Sequence, residues 1–120
     1  DGSQISFLMA DKNGKQQVFL ISPLGGEPRQ ASFEPEGIAL APRWHPSGKR
    51  IVTVDNRNRL LLISVADGES TALTDGEGEE RNNFIWSHDG KTIAFNQAVP
   101  INGQLRQQIF LVEFRDGDNN

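Results

Sequence analysis

The sequence predicts an all-β fold made of repeated four-stranded units that pack face to face. Three observations in the 120-residue chain predict it: a repeat of about 42 residues, short apolar runs, and a lack of alternation within those runs. No window shows the sustained 3.6-residue apolar spacing of an amphipathic helix. We therefore expect strands joined by turns and loops.

The repeat is clearest around the two tryptophans. The segment PRWHPSGKRIVTV (42–54) matches FIWSHDGKTIAF (84–95), so Trp44 corresponds to Trp86 and Gly48 to Gly90. The opening segment DGSQISF (1–7) is a third copy. A second block, VFLIS, LLLIS or IFLV, occurs once per copy and precedes the turns Gly25-Gly26, Asp67-Gly68 and Asp116-Gly117. Agreement of two blocks over three copies establishes an internal repeat.

Each unit is predicted to contain four strands. β-Branched and aromatic runs bounded by Gly, Pro, Asn and Asp are typical of strands, and the turns Ser47-Gly48 and Asp89-Gly90 join the first strand to the second because glycine accepts a positive φ. The predicted first strands are 38–44 and 83–86, the second 5–9, 50–54 and 92–96, the third 18–22, 60–64 and 109–112, and the fourth 29–33 and 70–74.

The third strands decide how the sheets pack. Neighbouring side chains in a strand point to opposite faces, and the run from Leu60 to Ile63 is apolar throughout. Both faces must therefore be covered, which a β-propeller achieves because each small sheet packs between two others. We predict an all-β chain of three partial four-stranded antiparallel β-propeller blades in an incomplete ring, a single segment 1–120 with repeats of about 1–37, 38–82 and 83–120.

The tryptophan segments resemble a known repeat. WHPSGKRI (44–51) and WSHDGKTIAF (86–95) are similar to the W-S-P-D-G-K-x-I-A-F signature of the WD40-like (PD40) repeats of TolB-type propellers. Ser47 and His88 depart from the signature at turn positions, where we expect altered turns. The resemblance implies a periplasmic or extracytoplasmic binding protein, with partners such as a peptidoglycan-associated lipoprotein. The same repeat occurs in the propeller lids of prolyl-oligopeptidase-type peptidases and in extracytoplasmic sensor domains.

Three partial blades cannot close a ring, since propellers have about four to eight blades. An open arc would leave two apolar blade faces bare, more than a soluble monomer normally exposes. We therefore expect either a slice of a longer propeller or two copies that associate through their open ends.

Composition excludes several functions. The formal charge of −4 disfavours nucleic acid as a partner, and no apolar run reaches the length of a membrane-spanning helix. There is no cysteine, no G-x-S-x-G element and no phosphate-binding loop. His45 and His88 are interpreted as turn residues and the acidic segment 75–80 as a solvated loop. We predict no catalytic residues, no metal site and no cofactor.

The candidate binding residues lie in the loops that vary between copies. In a propeller, the loops between second and third strands and between fourth and first strands share one face, here 10–15, 55–59, 97–106, 33–37 and 75–82. Variable loops on a constant scaffold are typical of recognition surfaces. The longest insertion, 98–105, is the first candidate contact, with a hairpin that covers its own scaffold as the alternative. The predicted partner-binding residues are Arg57, Arg59, Val99, Ile101, Leu105 and Arg106.

The leading hypothesis is a non-catalytic, protein-binding propeller module, part of a larger or self-associating propeller. The alternatives are the propeller lid of a prolyl-oligopeptidase-type serine peptidase and the extracytoplasmic sensor domain of a membrane-anchored regulator. The three share one scaffold, so the scaffold alone does not separate them.

Overall fold

The computed structural model describes residues 4–76 and 81–114 and shows ten β-strands. The described residues contain no helix, so none among them is long and apolar enough to cross a membrane. The expected all-β class is confirmed. The strands are β1 (Ile5–Ala10), β2 (Gln16–Ser22), β3 (Gly25–Gln30), β4 (Arg43–Trp44), β5 (Arg50–Val54), β6 (Leu60–Ser64), β7 (Ser70–Ala72), β8 (Arg81–Trp86), β9 (Thr92–Ile101) and β10 (Gln104–Glu113).

The strands form three antiparallel sheets in chain order. The first sheet is β1-β2-β3, the central sheet β4-β5-β6-β7 and the third sheet β8-β9-β10. Each sheet is a meander in which sequential strands pair, the arrangement of a propeller blade. Within the described residues, the first sheet lacks a strand equivalent to β4 and the third sheet lacks one equivalent to β7.

The central sheet is buried from both sides. All five residues of β5 are buried, and its three apolar residues divide between two apolar clusters. Ile51 joins the first sheet in one cluster, whereas Val52 and Val54 join the third sheet in the other. This confirms the two-sided coverage predicted from the unbroken apolar run. The first cluster holds Val18, Leu20, Ala31, Ile38, Ile51, Leu61, Ile63 and Val65, and the second Val52, Val54, Leu60, Phe84, Trp86, Ile93 and Phe95.

Each tryptophan ties its sheet to the preceding one. Trp44 Nε1 donates a hydrogen bond to Ser6 Oγ (3.1 Å), and Trp86 Nε1 donates one to the Arg43 carbonyl (3.1 Å). The Trp86 ring lies edge-on against His45 and is stacked with Phe114, with ring centroids 4.6 Å and 5.7 Å away. The tryptophans therefore pack between blades.

The two tight turns after the tryptophans form at the predicted glycines, and both have the same hydrogen-bond pattern although their sequences depart from the signature. Gly48 and Gly90 have φ of +76° and +73°, and each donates its N–H to the carbonyl three residues earlier. Gly90 also lies directly against the neighbouring blade, because a Cβ at this position would be 2.2 Å from His45 Nε2. Glycine is thus required at residue 90 by the turn and by the joint between blades.

The fourth strands were predicted too far along the chain. The first was expected at 29–33 after a Gly25-Gly26 turn, but the turn is Pro23-Leu24 and both glycines belong to β3 with positive φ. The strand then ends at Gln30, because the Val18 N–H donates to the Ser32 hydroxyl (2.8 Å) instead of to a backbone carbonyl.

The central sheet repeats that ending. Its fourth strand was predicted at 70–74 but ends at Ala72, and the Leu60 N–H donates to Thr74 Oγ1 (2.9 Å). Ser32 and Thr74 are separated by the repeat length, so a side-chain hydroxyl closes the blade edge in both copies.

Two first strands also differ from prediction. The strand predicted at 38–44 is reduced to a single bridge between Ile38 and Asp55 and the short β4. Between them Pro42 has no N–H to donate, and the Thr53 hydroxyl donates a hydrogen bond to the Leu40 carbonyl. In the third sheet β8 begins at Arg81, before the predicted 83–86, with Asn83 at φ +54° where the register shifts.

The segment 97–106 was predicted as a variable loop, with a hairpin left open as the alternative for its insertion, and it forms a hairpin. The model instead extends β9 to Ile101 and starts β10 at Gln104, earlier than the predicted 109–112, so the segment is a regular hairpin. Asn102 and Gly103, with φ of +51° and +80°, form its turn. Positive φ at both central residues is the type I′ geometry that an Asn-Gly pair favours. The predictions for residues 1–3, 77–80 and 116–117 lie outside the described residues.

Candidate functional site

Several of the predicted variable loops line two neighbouring clefts. The β1–β2 loop and the β3–β4 connection line one cleft of about 650 Å³, and the β5–β6 loop lines a second cleft of about 270 Å³ with the start of β8. The first cleft is lined by Ala10, Asp11, Lys12, Asn13, Lys15, Phe19, Gln30, Phe33, Glu34 and Pro35. The second is lined by Ala39, Leu40, Val54, Asp55, Asn56, Asn58, Arg81 and Asn82.

The first cleft combines exposed cations with an exposed aromatic ring. Lys12 and Lys15 lie on the β1–β2 loop, and Phe33, 59% exposed, lines the same cleft from the β3–β4 connection. Asp11 Oδ1 accepts hydrogen bonds from the N–H groups of Lys15 (2.9 Å) and Asn13 (2.8 Å). These bonds, the one from Lys15 foremost, lower the pKa of Asp11, so its carboxylate holds the loop in shape.

A buried polar network fixes the floor of the first cleft. Gln17 Oε1 accepts from the Ser32 hydroxyl (2.7 Å) and from the Glu34 N–H (3.1 Å), while Gln17 Nε2 donates to the Glu34 carbonyl (2.7 Å). The Ser70 hydroxyl donates to Glu34 Oε2 (2.8 Å). The β3–β4 connection is therefore held to both the first and the central sheet.

The second cleft is organised by an ion pair. Asp55 Oδ2 accepts hydrogen bonds from Arg59 Nε (2.9 Å) and pairs with Arg59 Nη2 (2.8 Å), and Asp55 Oδ1 accepts from the N–H groups of Arg57 (3.0 Å) and Arg59 (2.9 Å). Arg59 Nη2 also lies 3.8 Å from Glu34 Oε1. The buried carboxylate of Asp55 is thus compensated within the loop, and Arg59 links this loop to the wall of the first cleft.

Arg81 joins the β5–β6 loop to the third sheet. Its buried guanidinium donates from Nη1 to the carbonyls of Asn58 (2.6 Å) and Asp75 (3.0 Å), and Nη2 lies 3.7 Å from Asp75 Oδ1. The Arg81 N–H donates to Asn58 Oδ1 (3.1 Å). Asn58 has φ of +63°, the left-handed conformation that asparagine tolerates better than most residues.

The predicted binding residues fall into two separate groups. Arg57 and Arg59 lie on the β5–β6 loop of the central blade; Arg57 is exposed, and the guanidinium of Arg59 is occupied by Asp55. The other four lie on the β9–β10 hairpin of the third blade, where Val99 pairs with Arg106, Leu105 pairs with Pro100, and Ile101 flanks the turn.

The hairpin presents apolar side chains on a rigid frame. Ile101 and Leu105 are 40% and 59% exposed, and Arg106 Nη2 donates to Gln104 Oε1 (3.1 Å). β9 and β10 have ten residues each, whereas β5 and β6 have five, so the ladder extends about five residues further. At about 3.3 Å per residue this is a projection of roughly 16 Å.

Sequence reasoning missed the residues that form the first cleft. Lys12, Lys15, Phe33 and Glu34 were within loops predicted to share a face, but none was singled out. The available signal was the repeat itself, because it places the second-to-third-strand loop of a blade beside the connection that leaves its fourth strand.

The two histidines form no metal centre within residues 4–76 and 81–114, where no three His, Cys, Asp or Glu side chains converge. His45 is buried between blades, its Nε2 3.1 Å from the Gly90 carbonyl and 3.3 Å from Arg50 Nη2, and its Nδ1 accepts from the Ser47 N–H (2.9 Å). Burial and, next, the Arg50 guanidinium lower the pKa of His45, so the neutral ring is favoured.

Two curated relatives match parts of this chain. The uncharacterized protein YidR of Escherichia coli (strain K12) is 40% identical over 106 residues, which are 87% of this chain and 24% of YidR. The uncharacterized peptidase YuxL of Bacillus subtilis (strain 168) is 27% identical over 84 residues, 70% of this chain and 11% of YuxL. No family model matches. The chain therefore spans a quarter or less of the length of these relatives.

Solved structures with the same fold are propeller proteins. The tricorn protease superposes with a TM-score of 0.76 at 15% identity over 97% of this chain and 11% of its own. TolB from Acinetobacter baumannii has a TM-score of 0.71 at 20% identity, over 92% of this chain and 28% of its own. Putative TolB from Agrobacterium tumefaciens has a TM-score of 0.69 at 26% identity, over 94% of this chain and 39% of its own. The chain has the TolB-type β-propeller fold, present here as partial blades.

Proposed function

We propose that the chain is a non-catalytic, protein-binding segment of a β-propeller, 1–120, that works in an extracytoplasmic compartment and is part of a larger or self-associating propeller. The β9–β10 hairpin carries this proposal, since it is the insertion by which the third blade departs from the central one. The similarity to TolB structures supports the fold and the compartment.

The hairpin has the properties of a recognition element. Its backbone is ordered by a continuous ladder, so little conformational entropy is lost when it binds, and Ile101 and Leu105 supply apolar contact area at its tip. Arg106 and the exposed Arg57 supply positive charge for an acidic rim on the partner. A protein surface with a shallow apolar groove is the partner that this shape fits.

The test is a shortened hairpin that keeps the fold. Deletion of residues 98–101 and 104–107 joins Gln97 to Asn102 and Gly103 to Gln108, which preserves the Asn-Gly turn and the facing of every remaining residue. We expect this variant to lose capture of the protein that the natural chain retains from an envelope extract of its source cells. The peptidoglycan-associated lipoprotein of that source is the first purified candidate to assay.

A point-variant pair controls for general stickiness. Ile101→Ser with Leu105→Ser should weaken capture, whereas Leu24→Ser should not, because Leu24 is 97% exposed at the β2–β3 turn of the first sheet and the hairpin belongs to the third sheet. Equal capture by the shortened variant and the natural chain would remove the hairpin from the proposal.

The similarity to YuxL and to the tricorn protease favours a second candidate, the propeller lid of a serine peptidase. In that case the catalytic serine belongs to another domain of the natural full-length protein. A fluorophosphonate probe should then label that protein, and the label should map outside residues 1–120. Absence of labelling by the full-length protein under conditions that label a control peptidase would reject this candidate.

A further inference from the structure

The β9–β10 hairpin has a strand edge that no described strand covers. β10 is the edge strand of the third sheet, and its residues from Gln104 to Gln108 pair on one side only, with residues 97–101 of β9. All five of these β10 residues are exposed. An uncovered strand edge presents backbone N–H and C=O groups at the spacing of a β-ladder, so it is a template for a further strand.

The repeat indicates where the fourth strand of a blade leaves this edge. In the first sheet, the Val18 N–H donates to the Ser32 hydroxyl (2.8 Å), beyond the end of the fourth strand. In the central sheet, the Leu60 N–H donates to Thr74 Oγ1 (2.9 Å) in the same way. Ile109 begins the equivalent apolar block of β10. A fourth strand of the third blade is therefore expected to leave β10 at Ile109, and the hairpin lies beyond its reach.

The same equivalence shows which backbone groups of the edge point outward. The N–H of Leu60 faces the fourth strand of its blade, so we expect the N–H of Ile109 to do so too. Alternation along the strand then points Gln107 and Leu105 in the same direction. Pro100 agrees with this direction, because it lies opposite Leu105, and the two-residue turn leaves the backbone N atoms of that pair pointing out of the ladder. The edge thus offers the N–H and C=O groups of Leu105 and Gln107.

The side chains beside this edge favour a particular sequence in an added strand. Arg106 is the charged residue of segment 104–108, and it lies on the opposite face of the hairpin from Leu105. Side chains directly across a strand pair stabilise it when their charges are opposite or when both are apolar. An acidic residue therefore fits beside Arg106, and an apolar residue fits beside Leu105. Because the two faces alternate, the fitting segment alternates acidic and apolar residues.

We propose that the edge of β10 from Leu105 to Gln107 binds an extended segment of a partner protein, with alternating acidic and apolar residues, as an additional β-strand. In strand addition, main-chain hydrogen bonds supply affinity and alternate side chains supply specificity. The edge of β9 is less suited, because Pro100 has no N–H to donate there. This inference rests on the proposed binding role of the hairpin, and it specifies the conformation and chemistry of the segment that the hairpin binds.

Hydrogen exchange of the natural full-length protein is the first test. The N–H groups of Leu105 and Gln107 should exchange rapidly, whereas those of Arg106 and Gln108, which face β9, should be protected. Mass spectrometry with electron-transfer fragmentation resolves the four residues. Protection of Leu105 and Gln107 would overturn the proposal, because another part of the protein would already occupy the edge.

A synthetic pentapeptide of alternating glutamate and valine, acetylated and amidated, is the probe for binding. At several millimolar, it should slow exchange at Leu105 and Gln107 more than about twofold, the slowing expected when half of the edge is occupied. The same peptide with lysine in place of glutamate should slow exchange less, because lysine is repelled by Arg106. No slowing by the glutamate peptide, or equal slowing by both peptides, would overturn the proposal.

Two variants at residue 107 test the backbone hydrogen bond. Gln107→Pro removes an outward N–H and places a ring beside the added strand, so the dissociation constant of the glutamate peptide, measured from exchange at Leu105, should rise more than about tenfold. Gln107→Val keeps this N–H and should bind as the natural protein does. Protection of Arg106 and Gln108 verifies that the ladder with β9 is intact. Equal binding by Gln107→Pro would overturn strand addition.

Arg106→Glu decides the question if Gln107→Pro disturbs the hairpin. This variant keeps every backbone group, and it should bind the lysine peptide more tightly than the glutamate peptide. An unchanged preference would overturn the proposal. Capture of the natural partner separates this inference from the proposed function. Equal capture by the shortened hairpin rejects the proposed function, whereas capture that needs the hairpin but is unaffected by Gln107→Pro rejects strand addition alone.

Discussion

The central and third blades carry the same apolar block in opposite environments. In β6, Leu60, Leu61 and Ile63 are buried, whereas in β10 the equivalents Ile109 and Phe110 are 77% and 36% exposed. β6 pairs with both β5 and β7, whereas β10 pairs with β9 alone among the described strands, so β10 lacks a fourth strand at its edge as well as a sheet on its outer face. The difference shows that a blade acquires its core from its neighbours, as repeat architectures generally do.

Truncation of equivalent residues gives the largest expected difference between the two blades. Leu60→Ala removes a fully buried side chain from the joint and should lower the free energy of unfolding by about 2–5 kcal/mol. Ile109→Ala removes an exposed one and should change it by less than about 0.5 kcal/mol. Urea titration measures both free energies of unfolding, and similar losses would contradict the exposure of Ile109.

Two glycines sharpen the comparison at the joint. Gly90 and Gly103 have similar positive φ, but a Cβ at residue 90 would collide with His45, whereas a Cβ at residue 103 would meet nothing within 4 Å. Gly103→Ala should therefore cost about 1–2 kcal/mol of unfolding free energy from the backbone alone. Gly90→Ala should cost at least about 1 kcal/mol more through the displaced ring. Equal losses in thermal or urea unfolding would show that blade contact adds nothing to the turn.

The smallest expected effect is a pH dependence at the same joint. The pKa of His45 is lowered from its usual value of 6.5 in the folded chain, so near and below pH 6.5 the unfolded chain binds a proton that the folded chain does not. The free energy of unfolding should fall as the pH drops from neutrality through 6.5 and level off below the folded pKa. His88, Asp89 and Lys91 lie on the facing turn, and Arg50 lies beside the ring.

The control for this pH dependence is His45→Gln. Urea titrations at several pH values measure the free energy of unfolding of this variant. Between pH 6.5 and the folded pKa of His45, we expect the variant to lack the fall in this free energy that the natural chain shows. If the free energy of unfolding of His45→Gln kept the full pH dependence, groups other than His45 would be responsible for it.

Much of the fold could be predicted because a strand or turn predicted in one copy of the repeat recurs at the equivalent position of the others. The tight turns at Gly48 and Gly90 and the two-sided burial of β5 and β6 follow from residue type and periodicity alone. The strand ends could not be predicted, because they depend on single side chains that replace a backbone partner: the hydroxyls of Ser32, Thr53 and Thr74.

The candidate site was less predictable than the fold. Insertion length marked 97–106 as variable, but polar residues such as Gln97 and Gln108 concealed that the strands continue. Arg59 was predicted as a binding residue, but its guanidinium pairs with Asp55. The burial of Asp55 depends on the tertiary structure, and the local sequence does not show it. Pairing of distant loops, not the type of residue in them, creates the clefts.

The one tryptophan at each joint has a spectroscopic consequence. Trp44 contacts the first sheet and Trp86 contacts the central sheet, and the chain has no others. Trp44→Phe and Trp86→Phe therefore leave a single fluorophore that senses only one boundary. Separate emission curves from the two proteins would reveal blades that detach one after the other, and superimposable curves would reveal a single cooperative unit.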